Sequence, residues 1–84
     1  MTSHQRARAW RLARGLTVRA LSDLTGFSPE SIVCFERGTA PRRAGEKRKA
    51  VNPHAFHRYR MACAGVEASR HAGGAFDWTL GWGG

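Results

Sequence analysis

An all-α domain of four or five short helices is what this sequence predicts, and three observations carry the reading. Helix-opening signals recur: Thr2 with Gln5 at capping-box spacing, Thr17, Ser28-Pro29 and Asn52-Pro53. Glycines fall where the first three helices should stop, at Gly15, Gly26 and Gly38. No stretch alternates apolar and polar residues for long enough to suggest a sheet.

The elements follow in order. Behind the Thr2/Gln5 pair, Ala9, Leu12, Ala13 and Leu16 fall on one helical face and are expected to be buried, with Arg8 and Arg11 turned away. Thr17 caps a second helix whose buried pair should be Leu21 and Leu24. A third helix runs from Pro29 to about Arg37, with Ile32 and Phe35 inward and a stripe of Glu30, Cys34 and Arg37 outward, Val33 at its edge. Only a few residues around Gly26-Phe27 separate the second and third helices, and so short a turn forces a steep crossing, the helix-turn-helix geometry. Residues 39–51 read as a basic loop. Asn52-Pro53 opens a fourth helix to about Ala64, with Phe56, Tyr59 and Cys63 inward, His54, His57 and Arg58 outward, and Gly65 as its stop. Glu67 to His71 add a further turn or two before Gly73-Gly74. The domain is therefore set at 1–72, with the two-helix unit at 17–38, and 73–84 forms an aromatic, glycine-rich tail that is either a last core element or a contact for a second subunit.

Size and charge limit what such a domain can do. Thirteen of the apolar residues among its 84 are alanine, so about 22 larger side chains must build the core. A chain of this size buries roughly 60–65% of its unfolded surface, which makes marginal stability and help from a dimer partner reasonable expectations. A large enzyme and an integral membrane protein are excluded, because no deep cavity fits and no apolar run approaches a membrane span. Fourteen Lys+Arg against six Asp+Glu give a net charge of +8, and twelve of the fourteen are arginine. That balance favours a polyanionic partner. Residues 1–22 hold five arginines and no acid. The two cysteines, Cys34 and Cys63, make no disulfide framework, and no apolar segment follows the arginine-rich start as in a signal peptide, so a reducing cytoplasm is expected.

Residues 11–38, RLARGLTVRALSDLTGFSPESIVCFERG, resemble the Cro/repressor (XRE-type) helix-turn-helix family without a gap. The shared pattern takes in Gly15-Leu16-Thr17, Leu21, Gly26, Ser28, Ile32 and Glu36-Arg37-Gly38. Further on, Gly65-Val66 and Phe76-Asp77-Trp78 resemble pairs that follow the family's fourth helix and mark its last one. The resemblance implies a compact four- or five-helix Cro/repressor-like domain that places its third helix in the major groove of double-stranded DNA, often as a homodimer. It implies a structural ion pair between Arg11 and Glu36. It also implies base reading by Glu30, Val33, Cys34 and Arg37, and phosphate contact by Thr17, Ser28 and Ser31 at helix N-termini and by Arg42, Arg43 and Lys47 in the basic loop. Val18 and Pro29 stand where the family often carries glutamine. Glu30 either accepts from a cytosine amino group or stays out of the groove at the helix N-terminus.

Other constellations carry less. His54 and His57 lie on the outer face of their helix and Cys63 on the inner, so one zinc ion does not join them, and no metal, cofactor or catalytic set is expected. Cys34 is a thiol switch or simply a small residue tolerated on that face. The function expected is that of a sequence-specific transcriptional regulator, a repressor of phage or mobile-element type. The alternatives are an antitoxin-like or adaptor module with a protein partner, and non-specific nucleic-acid binding.

Overall fold

The structure, a computed structural model, describes residues 1–40, 45, 49–73, 76–79 and 81–82. Four helices run in chain order: α1 (Ser3–Ala13), α2 (Val18–Thr25), α3 (Pro29–Arg37) and α4 (Pro53–Ala72). Two strands of two residues each, β1 (Phe76–Asp77) and β2 (Gly81–Trp82), pair antiparallel with Phe76 opposite Trp82 and lie against α4. The chain is thus all-α with one short hairpin, where the sequence pattern suggested no strand at all.

Local chemistry explains the helix ends. Thr2 and Gln5 form the capping box reciprocally, the Thr2 hydroxyl accepting from the Gln5 amide and the Gln5 side chain from the Thr2 amide. Thr17 and Ser28 accept from Ala20 and Ser31 at the starts of α2 and α3, and the Asn52 side chain accepts from His54 and Ala55 at the start of α4. At the end of α1 the Gly15 amide donates to the Leu12 carbonyl and the Leu16 amide to that of Arg11, a Schellman pair that needs the positive φ of Gly15. Gly65 has no positive φ and stops nothing: α4 runs straight through it to Gly73.

The core is small. Leu21, Ile32, Phe35, Val51 and Tyr59 are its buried apolar members, with the Phe35 and Tyr59 rings stacked at 4.6 Å and Phe27 edge-on to both. α3 is the hub, packed on by α1 and α2, while α4 packs across α2. Two expectations about faces fail. Leu12, Ala9 and Ala13 face solvent and Arg11 is buried, because the inward side of α1 is the one that carries Ala7, Trp10 and the Arg11–Glu36 ion pair. Leu24 is 58% exposed, so α2 contributes Leu21 alone to the buried set. The expected loop over residues 39–51 is pinned at its base: Thr39 pairs with Ala50, the Ala40 amide donates to the Lys49 carbonyl at 2.8 Å, and Val51 drops into the core.

Candidate nucleic-acid interface

The α2–α3 pair is joined by Gly26, Phe27 and Ser28 alone. Gly26 ends α2 at φ 80°, its amide donating to Ser22. The Ser22 hydroxyl then donates to the Phe27 carbonyl at 2.7 Å, so the turn is tied back onto α2 while the Phe27 ring enters the aromatic cluster. Such a turn has little freedom, and the angle between the two helices is held by it and by the core beneath.

α3 is further held from α1. Arg11 donates through Nε to Glu36 Oε2 at 2.7 Å, through one terminal nitrogen to Oε1 at 3.0 Å, and through the other to the Leu16 carbonyl at 2.9 Å. The side chains of this pair are 9% and 6% exposed, which removes them from solvent screening. The Glu36 carboxylate raises the Arg11 pKa further above its ordinary value, against burial acting the other way. The expected pair is therefore present, and it also pins the turn between α1 and α2.

The sequence offered no sign of a second tie. His4 Nδ1 lies 2.7 Å from the Phe35 carbonyl and its ring packs edge-on against Phe56 at 4.4 Å. The same ring closes over Gly38, where a Cβ would come within 2.8 Å of it. A third tie joins α1 to α4: Glu67 accepts from Trp10 Nε1 at 2.9 Å and from Arg14 Nε at 2.7 Å, with His71 a turn further on. These donors hold the Glu67 carboxyl below its usual range, Arg14 most and Trp10 next. Partners 53 and 57 residues apart leave no local pattern to read.

With its inward side committed, α3 offers an outward edge. Glu30 and Arg37 are exposed, two turns apart, and Val33 between them is half-buried. Cys34 departs from the expected stripe, because it is half-buried and packs against the core cluster. Of the expected phosphate contacts, Thr17 and Ser28 are exposed and serve as caps, and Ser31 is half-buried with its hydroxyl bonded to that of Ser28 at 2.9 Å. Arg42, Arg43 and Lys47 lie outside the described residues. Both cysteines are free. Burial pushes the Cys63 thiol up and the neighbouring Tyr59 phenol well above its usual range, and the Tyr59 hydroxyl makes no well-formed hydrogen bond.

Among the described residues, no three His, Cys, Asp or Glu side chains are placed to hold a metal ion, and no helix is long and apolar enough to cross a membrane. Compared with protein-family models, curated proteins and solved structures, the chain matches none.

Proposed function

We propose that this chain is a sequence-specific, double-stranded-DNA-binding regulator of transcription, a helix-turn-helix protein on the Cro/repressor plan that acts as a repressor of phage or mobile-element type in the cytoplasm, and not an enzyme. The observation that carries the reading is α3 itself. Ile32, Phe35 and Glu36 fasten one side of it, and the other side presents Glu30 and Arg37 to solvent. Seven residues along a helix span about 10.5 Å, the length of roughly three base-pair steps. Arg37 suits a guanine edge or a phosphate, Val33 a thymine methyl, and Glu30 a cytosine amino group. Cys34, half-buried like Val33, suits a thymine methyl in the same way. The capped N-termini of α2 and α3, with Thr17, Ser28 and Ser31, would bind phosphate, helped by the +8 charge and by Arg42, Arg43 and Lys47. Binding needs no cofactor.

The test is fluorescence anisotropy on two labelled duplexes, one from upstream of the chain's own gene and one scrambled, at low and near-physiological salt. A preference of about 10³-fold that survives the added salt is expected. Equal binding to both duplexes, lost together as salt rises, would overturn the reading in favour of charge-driven association.

A second reading uses the same fold for a protein partner, as in an antitoxin-like or adaptor module. Leu24, 58% exposed, lines one groove with Leu16, Val66 and Phe76, and Trp78 is 94% exposed, an apolar surface that a protein partner would cover. In that reading neither duplex is preferred, and substitution of Leu24 rather than of Arg37 removes the activity.

A further inference from the structure

The space between α1 and α4 points to a second site, independent of the α3 edge. α1 packs mainly on α3, so α1 and α4 stand apart over much of their shared length. They meet at two brackets, the His4–Phe56 ring contact and the bonds from Trp10 and Arg14 to Glu67. Between the brackets is a cleft of about 370 Å³, open to solvent along one side. Its origin is legible in the side chains: Ser3 and Ala7 on α1 and Cys63 and Ala64 on α4 are too small to fill the gap.

Two cations border this apolar space. Arg6 and Arg60 both line it, both are exposed, and neither has an ion-pair partner among the described residues. Arg6 lies about a third of the way from His4 to Trp10, and Arg60 about a third of the way from Phe56 to Glu67. Both arginines thus stand on the stretches of the two helices that line the cleft. The acid lining the cleft, Glu67, is already committed to Trp10 and Arg14.

We propose that this cleft binds a small amphiphilic carboxylate, its apolar body along Ala7, Trp10 and Ala64 and its carboxylate between Arg6 and Arg60. Guanidinium groups favour a carboxylate through paired N–H donors in a fork. The volume lies at the lower end of that of small-molecule sites. So small a volume suits a compact ligand rather than a length of peptide or nucleic-acid strand. Occupancy would also brace α1, whose Arg11 holds α3 through Glu36, so the ligand's contacts reach the α3 edge through a rigid helix.

Calorimetric titration of the full chain with 2-naphthoate, its neutral isostere 2-naphthamide and a poly-glutamate peptide tests this. One naphthoate should bind per chain, with the amide at least about tenfold weaker, a difference of about 1.4 kcal/mol. R6Q and R60Q should each weaken naphthoate several-fold, R8Q on the same helix should change it less than about twofold, and A64F should abolish it by filling the cleft. Helical circular dichroism of R6Q and R60Q should match that of the parent, since both arginines are exposed. Equal affinity for acid and amide would overturn the proposal. So would losses in R8Q as large as in R6Q, or displacement by poly-glutamate at equal carboxylate concentration, which would mark a diffuse cationic surface.

Discussion

Arg11 commits its whole guanidinium inside the protein: two nitrogens to Glu36 and the third to the Leu16 carbonyl. Removing the carboxylate alone leaves a buried cation with a single bond, so Glu36→Ala is expected to lower stability by about 3 kcal/mol or more in denaturant unfolding. Because the pair acts as a unit, the Arg11→Ala/Glu36→Ala double variant should lose clearly less than the two single losses added. Additive losses, or unchanged stability in Glu36→Ala, would rule the clamp out. A second residue-scale test compares two glycines of like conformation, Gly26 at φ 80° and Gly38 at φ 81°. Alanine at either position bears the left-handed backbone, about 1–2 kcal/mol. Only at Gly38 does the new methyl meet something, the His4 ring at 2.8 Å, and that ring is held by the Phe35 carbonyl and by Phe56. Gly38→Ala should therefore cost about 1 kcal/mol more than Gly26→Ala. Adding His4→Ala should lift that excess, and equal losses at the two glycines would deny the contact.

At the scale of elements, the helix boundaries were legible because they are local. Thr2 with Gln5, Ser28-Pro29 and Asn52-Pro53 act on amides within three residues, and each cap forms as its residue types dictate. Facing was less legible, since it depends on what lies across the gap. Counting apolar residues on α1 selects Leu12, yet the side that meets α3 carries Arg11, whose partner is 25 residues away. Gly65 looked like a stop because glycine often is one, but α4 has packing on both sides of it and ends where Gly73 supplies the positive φ. Of the α3 edge, Glu30 and Arg37 were readable as outward, whereas Cys34 was not readable as half-buried. The long α4 gives its own test through Glu67. Its folded pKa is depressed, so its contribution is present above the ordinary carboxyl value of 4.5 and is lost as pH falls through the lower folded value. Melting temperatures measured from about pH 6 down to about pH 2.5 should fall more steeply for the parent than for Glu67→Gln. Parallel curves would show that Trp10 and Arg14 draw no net stability from that carboxylate.

At the scale of the whole molecule, two surfaces should respond to salt in opposite senses. If the cationic surface binds DNA as proposed, it does so by releasing counterions, and with six phosphates neutralised log K should fall with log salt at a slope of about −5. The apolar surface lies elsewhere: Leu16, Leu24, Val66 and Phe76 line a groove between α2 and α4, and Trp78, packed edge-on against Phe76 and 94% exposed, stands beside it. If a second copy of the chain covers this groove, each subunit brings a charge of +8, and that repulsion is what salt screens. Association of the free protein should then strengthen between about 50 and 300 mM salt, over which the Debye length shrinks, while DNA affinity weakens. Sedimentation velocity across that range, on the full chain and on a chain ending at residue 72, separates the contributions. The full chain should shift toward the dimer as salt rises, and the shortened chain, without Phe76 and Trp78, should stay at the monomer mass throughout. A mass that does not depend on residues 73–84 would place any dimer contact elsewhere. One that falls with salt would mean that charge, not the apolar groove, joins the copies.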